Sequence, residues 1–238
     1  MNKQWNNEAK MSILEHLQEL RQRILTSFIT FLLITIICFI YSKNISYLLQ
    51  QPAIGIKFLQ LAPGEYFFAS IKVSLYTGFI LSSPFTTYQI MLFIIPGLTK
   101  TETNFLIPTL VSSICLFFIG ILFSYKILAP AALTFFMKYG AEIVEPIWSF
   151  EEYFNFILLL LFSTGIAFQI PIIQIILGVF NIFSSKKMLS YWKYVIFIST
   201  IIGAILTPST DPITQIFMSS AIITLYFGGI MVLKSINK

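Results

Sequence analysis

Six runs of apolar residues, separated by short polar segments, dominate the pattern of this chain. A helix needs roughly 20 apolar residues to cross the hydrocarbon core of a bilayer, and four of the six runs reach or exceed that length. The pattern therefore predicts an all-α, polytopic membrane protein with six transmembrane helices in a single integral membrane domain, residues 1–238. The last two spans are expected to be short, so that the bilayer thins around them or interfacial residues such as Trp192 flank them. The six runs cover about residues 24–41, 67–95, 105–125, 154–177, 194–206 and 213–233.

The segment before the first run, residues 12–25, has a helical period of its own. Its apolar residues recur at spacings of four, three and four, which places them on one face of a helix: Ile13, Leu17, Leu20 and Ile24. Ser12 and Glu15 have the spacing of a capping box, and Glu19 and Arg23 that of an i,i+4 ion pair. The pattern alone predicts an amphipathic helix that lies on the membrane and leads into the first span.

The segments between the spans carry signals of their own. Residues 42–63 mix charged residues with Pro and Gly and are expected to form an ordered loop with short helices. In the second run, Lys72 is expected to snorkel to the interface and Pro84 to kink the helix. The apolar stretch after Pro130 is too short to span and is predicted to be an interfacial helix.

Composition agrees with a membrane protein. Of 238 residues, 57% are hydrophobic and 11% charged, against about 25% charged residues in soluble domains. The formal net charge of +5 is distributed over the loops, with an excess on the side of the N-terminus, which favours both termini facing the cytoplasm or its organelle equivalent. With one His, few carboxylates and two Cys (Cys38 and Cys115) inside apolar runs, neither a disulfide nor a metal site nor any other cofactor is expected.

The predicted topology brings two carboxylates to one membrane surface, Glu19 before the first span and Glu102 in the turn before the third. The chain has only ten acidic residues, so their proximity is notable. Each also has an ordinary interpretation: Glu19 pairs with Arg23, and Glu102 is a solvated turn carboxylate. Gln169, inside the fourth span, either hydrogen-bonds another helix or satisfies carbonyls freed by Pro171.

Short motifs along nearly the whole chain resemble one known family. The first is His16-Leu17-x-Glu19-Leu20-Arg21-x-Arg23-Ile24. Others follow in order: Ser83-Pro84 with Tyr88-Gln89, Phe93-x-x-Pro96-Gly97-Leu98, Phe168-Gln169-x-Pro171, and Leu206-Thr207-Pro208 with Asp211. Together these resemble the TatC family, the multi-spanning receptor subunit of the twin-arginine protein translocase. The stretch Pro63-Gly64-Glu65-Tyr66-Phe67-Phe68 is similar to the cyanobacterial and plastid version.

The resemblance implies roles for particular residues. Glu19 and Glu102 would bind the paired arginines of a substrate's signal peptide. Arg21 would orient the two glutamates or contact the peptide, and Phe93 would lie beside the site. Many bacterial relatives have glutamate where this chain has Gln169, so a proton-coupled role is not expected here. Thr207 and Gln215 match the region that receives single-span partner subunits, and Pro52 a proline important for assembly. Asp211 is expected to cap the sixth helix.

The resemblance also implies a function: a receptor that assembles with single-span subunits, and with further copies of itself, to move folded proteins across a membrane. It involves no cofactor and no nucleic acid. A small-solute secondary transporter is the alternative, and an intramembrane enzyme is disfavoured because the spans lack a cluster of catalytic side chains. The AT-rich bias of the composition, the polar residues 1–10 and the motif at 63–68 favour a plastid thylakoid membrane with both termini in the stroma, and a bacterial inner membrane is the fallback. Met11 is a second possible start.

Overall fold

The computed structural model describes residues 13–53, 55–97, 100–140, 147–180, 182–207 and 211–235. Of a few residues within these ranges only the backbone is described, and Glu102 is one of them. The predicted capping box at Ser12 lies outside the described residues. By length and composition, four helical stretches are long and apolar enough to cross a membrane, Leu14–Ile40, Ile107–Tyr139, Phe150–Val179 and Pro212–Ser235, and Trp192–Leu206 is a shorter apolar helix.

The first helix joins the amphipathic segment and the first span without a break. Helix α1 runs over Ile13–Ile40, 28 residues or about 42 Å. The amphipathic segment leads into the first span as predicted, and the two form a single helix because nothing between them breaks it. The apolar positions of both simply continue one helical stripe. About two turns of α1 extend past a hydrocarbon core of roughly 30 Å.

The loop after α1 contains the expected short helices. Helix α2 covers Ser42–Gln50, a 3-10 turn covers Gln51–Ala53, and a three-residue strand β1, Lys57–Leu59, follows. Strand β1 pairs in parallel with β2, Ile147–Ser149, with Phe58 opposite Trp148. This small pair is an exception to the all-α prediction, since three residues are too few to produce a recognisable alternation.

Helix α3, Glu65–Ile94, is the main partner of α1 and contains Pro84. Proline has no N–H to donate to the carbonyl of Ile80, and the Ser83 hydroxyl donates to that carbonyl instead, at 2.7 Å. The helix continues through the proline and ends in a 3-10 turn at Ile95–Gly97. Lys72 does not simply snorkel as expected, because its ammonium group donates to Glu151 and Asn155 of another helix.

The third span and the stretch after Pro130 form one long helical segment. Helix α4, Lys100–Phe123, passes through a π-helical turn, Ser124–Leu128, directly into α5, Ala129–Gly140. The predicted separate interfacial helix is thus an extension of the third span. Pro130 is the second residue of α5, directly after the π-helical turn, and the helix continues through it.

Helix α6, Phe150–Ala167, lies at the centre of the molecule. It packs against α3 and α4 and contributes the largest set of fully buried side chains, among them Phe154, Ile157, Leu158 and Leu160. The predicted fourth span is broken at Phe168 and Gln169, after which α7 covers Ile170–Val179. The break coincides with Pro171, in the first turn of α7.

The last part of the chain is a helical pair. The short helix α8, Ser185–Ser190, leads to α9, Trp192–Leu206, and α10, Pro212–Ser235, packs against both α9 and α7. Helix α9 has 15 residues, about 22 Å, and is short as predicted. The sixth span is longer than predicted, 24 residues, because Asp211 caps it at its start and it continues through Lys234. In the cap, the Asp211 carboxylate accepts from the Thr214 N–H at 2.8 Å.

Successive long helices run in alternating directions. We call the side at which α1 begins the N-terminal face. Helices α4 and α9 also begin at this face, and helices α3, α7 and α10 end there. We call the other side the opposite face, which carries α2, the β1–β2 pair and the turn before α10. This assignment places Glu19 and the backbone of Glu102 at the same face.

Candidate functional site

The predicted pair of Glu19 and Arg23 is present on α1 and is tied to a second helix. Oε1 of Glu19 accepts hydrogen bonds from Nε and Nη2 of Arg23 at 2.9 and 2.6 Å. Nη1 of Arg23 donates to Oε1 of Gln89, near the end of α3, at 3.0 Å. The guanidinium therefore joins α1 to α3 while it neutralises one oxygen of the carboxylate.

The second oxygen of Glu19 is a free acceptor within the described part of the chain. Oε2 is buried and accepts no hydrogen bond from any described residue. The Nδ1 atom of His16 lies 3.9 Å from Oε2, which is too far for a hydrogen bond. Since a buried carboxylate oxygen ordinarily has a partner, this atom indicates a position that a donor can fill.

An aromatic stack borders the carboxylate. The rings of His16 and Phe93 lie 4.3 Å apart with an interplanar angle of 12°. The stack packs the first turns of α1 against the last turn of α3 and fixes His16 beside Glu19. Phe93 is thereby linked to Glu19 through His16, and its role beside a binding site stays a prediction.

A polar cavity of about 330 Å³ opens at this point. Its lining includes the two ionic side chains of the pair and the amide that bridges the helices: Glu19, Gln22, Arg23, Thr26 and Gln89. The cavity is of the size found for small-molecule sites, but its lining is mostly polar, where such sites are mostly apolar. Its chemistry therefore favours a charged, hydrogen-bonding group, and the acceptor oxygens favour a cation.

Comparison with known proteins decides the family. The family model of the Sec-independent protein translocase protein (TatC) matches residues 15–220. The chain belongs to the TatC family. A tatC-like protein, ycf43, of Gracilaria tenuistipitata var. liui is 68% identical over 238 residues, which is all of both chains. The Sec-independent translocase protein TatC of Synechocystis is 50% identical over 98% of this chain and 91% of that protein. A crystal structure titled twin-arginine translocase receptor TatC has a TM-score of 0.80 and 36% identity, covering 94% of this chain and all of the other.

Family membership makes this chain a membrane-embedded component of the Sec-independent protein translocase. A chloroplastic TatC from Oryza sativa is 47% identical over 96% of this chain and 64% of that protein. With the apolar helices, these similarities identify a polytopic membrane protein of the cyanobacterial and plastid type, as the sequence motifs predict.

Not every predicted site residue of the TatC-family chain joins the cavity. Arg21 is exposed and forms no ion pair with any described side chain. The backbone of Glu102 lies in the first turns of α4 at the same face, and its side chain lies outside what the structure describes. Two residues were missed as site residues, His16 and Gln89. The signals were available: His16 is the only histidine, and Gln89 is a lone amide near the end of an apolar run.

The intramembrane amide of Gln169 is bonded inside the TatC-family chain itself. Oε1 of Gln169 accepts from the Ser113 hydroxyl at 2.5 Å, and Nε2 donates to the Ser113 carbonyl at 3.1 Å. Both ends of the amide thus bind α4, and the amide does not donate to a freed carbonyl of its own helix. The bond fixes the break between α6 and α7 against α4.

Thr207 and Gln215 flank the turn between α9 and α10. The Thr207 hydroxyl is buried and donates to the Gly203 carbonyl at 2.8 Å, and Nε2 of Gln215 donates weakly to the Thr200 carbonyl at 3.4 Å. Only Gln215 is partly exposed and available to another helix. Pro52 lies in the 3-10 turn of the opposite face, which packs on α5.

A carboxylate to which the sequence analysis gives no role, Glu65, links two loops of the opposite face by hydrogen bonds. Glu65 is only 4% exposed. Its Oε1 accepts from the Ser149 hydroxyl at 2.6 Å and the Glu151 N–H at 2.8 Å, and its Oε2 from the N–H groups of Leu61 and Ala62. The hydrogen bond from the Ser149 hydroxyl, and to a lesser extent the one from the Glu151 N–H, lowers the pKa of Glu65 to about 2 from its ordinary 4.5.

Proposed function

We propose that this chain is the receptor subunit of a twin-arginine translocase and that the cavity at Glu19 receives an arginine of the substrate's signal peptide. The observation that carries the proposal is the state of the Glu19 carboxylate. One oxygen is held by the Arg23 guanidinium, and the other is a buried acceptor that no described donor reaches. The site therefore already binds one guanidinium and has an acceptor left for another.

Arg23 acts in this proposal as an internal substitute for the ligand. An incoming arginine either adds to Oε2 or displaces Arg23 from Oε1, and Gln89 keeps an acceptor for Arg23 in the second case. Exchange of one guanidinium for another avoids leaving a buried carboxylate without a counterion, which is the costly step in binding at such sites. A lysine cannot reproduce the two-pronged contact, so the site discriminates against it.

Glu102 supplies the second carboxylate of the proposed site, and Arg21 and Phe93 flank it. The two glutamates belong to different helices, α1 and α4, which begin at the same face. This arrangement suits a ligand with two adjacent cationic side chains. Charge-assisted hydrogen bonds of this kind are roughly twice as strong as neutral ones. Nothing in the comparisons favours the alternative of a small-solute transporter.

The proposal is tested by equilibrium binding of a labelled twin-arginine signal peptide and its twin-lysine variant to the chain in lipid nanodiscs. We expect the twin-arginine peptide to bind at least tenfold more tightly, and Glu19→Gln or Glu102→Gln to remove most of that difference. Glu152→Gln, a carboxylate of the opposite face, is the matched control. Equal binding of both peptides, or full binding by both site variants, would rule out the receptor site.

The proposal extends to partners and location. Gln215 is the residue that an incoming single-span subunit would contact, Gln169 and Thr207 support that surface from inside the chain, and Pro52 supports assembly at the opposite face. The membrane is the thylakoid, with both termini in the stroma. Gln215→Leu should reduce co-purification of single-span subunits, whereas Thr224→Val, a hydroxyl on the exposed side of the same helix, should not. Unchanged recovery with Gln215→Leu would remove Gln215 from the interface.

A further inference from the structure

A cluster of cations at the N-terminal face has no acidic counterpart. Lys186 and Lys187 lie on α8, and Lys193 lies in the first turn of α9. These three lysines are exposed, as is Lys234 at the end of α10. The sequence contains no Asp or Glu between Tyr153 and Thr210, or after Asp211. None of the ion pairs among the described residues includes these lysines. The helices that meet here therefore present positive charge alone.

Helix α8 is fixed in place by packing. The hydroxyl of Tyr226 on α10 donates to the Met188 carbonyl at 2.9 Å. The Met188 side chain is buried with Ile230 and Leu233 of α10. Helix α8 therefore turns one side toward α10 and exposes Lys186 and Lys187 on the other. Lys234, next to Leu233, extends the same charged surface.

Aromatic and apolar side chains accompany the lysines. Tyr191, Trp192 and Tyr194 at the start of α9 are 44–65% exposed, and Ile182 and Phe183 are exposed as well. Nζ of Lys193 lies 5.8 Å from the centroid of the Trp192 ring. Exposed Tyr and Trp are typical of the membrane–water interface, with apolar residues on the side of the acyl chains. A water-soluble acidic ligand would neutralise the lysines but leave these apolar groups uncovered.

The length of α9 sets the depth of this surface. A helix of 15 residues, about 22 Å, is shorter than a hydrocarbon core of roughly 30 Å. Lipid headgroups must therefore approach the start of α9 more closely than they approach the ends of the longer helices. The lysines lie where these displaced headgroups are expected.

We propose that residues 182–194, together with Lys234, bind the anionic headgroups of membrane lipids, a phosphate or sulfonate carried on a lipid, and so anchor the short helix α9. Basic residues beside a transmembrane helix attract anionic lipid, and each lysine contributes roughly fivefold in affinity near such a surface. The proposal is independent of the cavity at Glu19.

The test uses Trp192 as a reporter. Trp5→Phe and Trp148→Phe leave Trp192 as the only tryptophan, and the chain is reconstituted alone in phosphatidylcholine vesicles that contain phosphatidylglycerol. Brominated phosphatidylglycerol should quench Trp192 at about a threefold lower mole fraction than brominated phosphatidylcholine does. Combined Lys186→Gln, Lys187→Gln and Lys193→Gln should abolish this preference. Lys126→Gln, which alters a lysine that also lies over an aromatic ring but at the opposite face, should retain it.

Two further arms complete the test. High salt should reduce the preference of the parent chain for brominated phosphatidylglycerol. This measurement tests the proposal even if the triple variant fails to reconstitute. Inorganic phosphate should not displace the brominated lipid when ionic strength is matched, whereas a sulfonate-headed glycolipid should replace phosphatidylglycerol. Equal quenching by both brominated lipids, a preference that survives the triple substitution or high salt, or displacement by free phosphate would overturn the proposal.

Discussion

At the scale of single residues, Glu19 and Glu65 show two opposite uses of a carboxylate's hydrogen bonds. Glu65 has both oxygens filled by donors of fixed structure, whereas Glu19 has one oxygen held by a side chain that can move and one without a described partner. A fully satisfied carboxylate holds loops together, and an incompletely satisfied one is suited to exchange.

The exchange at Glu19 makes a prediction for Arg23→Gln. The substitution removes the internal competitor and one positive charge beside the carboxylate, so a twin-arginine peptide should bind severalfold more tightly. Fluorescence anisotropy titration measures the change, with Lys193→Gln at the same face as the control for loss of a positive charge. Weaker binding would mean that Arg23 helps to hold the peptide and does not compete with it.

The pKa of Glu65 makes a prediction about acid stability. A pKa of about 2 in the folded chain, below the ordinary 4.5, means that the ionised carboxylate stabilises the fold at pH above 4.5. That stabilisation is lost as the pH falls from about 4.5 toward 2. Thermal unfolding in detergent should show the Tm of the parent chain falling over this window and the Tm of Glu65→Gln starting lower and falling less. If the Tm of the two chains falls in parallel with pH, Glu65 does not contribute this pH-dependent stabilisation.

At the scale of elements, the sequence predicts what local spacing encodes. The Glu19–Arg23 pair, the Asp211 cap and the expected helices of residues 42–63 follow from neighbours a few residues apart, and all are present. Contacts between distant helices are different, because no local spacing encodes them. Arg23 with Gln89 and Ser113 with Gln169 are examples. The continuous passage from α4 to α5 was missed because a π-helical turn has no sequence period of its own.

Two glutamines at the fourth span should respond to substitution in opposite ways. Gln169 forms two hydrogen bonds with Ser113. The amide of Gln174, in contrast, is buried against Gly229 of α10 and has no hydrogen-bond partner among the described residues. Gln169→Leu should destabilise the fold by about 1 kcal/mol, whereas Gln174→Met should be neutral or stabilising. Unfolding in mixed micelles measures both. A double-mutant cycle with Ser113→Ala should give a coupling energy for Gln169 and none for Gln174. Equal losses for the two glutamine substitutions would contradict this assignment.

At the scale of the whole molecule, the distribution of charge predicts how the chain is oriented in the membrane. The opposite face also has lysines, but Lys72 is paired with Glu151 and so contributes no free charge. At the N-terminal face, Lys186, Lys187, Lys193 and Lys234 are unpaired among the described residues. Arg23 at the N-terminal face is paired with Glu19 in the same way, so ion pairing leaves the difference between the two faces unchanged. The excess of basic residues at the N-terminal face therefore favours this face on the cytoplasmic or stromal side by the positive-inside rule.

This orientation predicts the accessibility of single cysteines. In a chain with Cys38→Ala and Cys115→Ala, Gln22→Cys and Lys234→Cys should react with a membrane-impermeant maleimide from the same side, and Tyr47→Cys only from the other. Gln22 and Tyr47 are matched because both are exposed and lie near opposite ends of α1. An odd number of crossings between Gln22 and Lys234 would label those two from different sides, since each crossing reverses the direction of the chain. In right-side-out thylakoids the stromal side faces the medium, so Gln22→Cys should react directly and Tyr47→Cys only after the membrane is opened. Direct labelling of Tyr47→Cys with protection of Gln22→Cys would mean the reverse orientation.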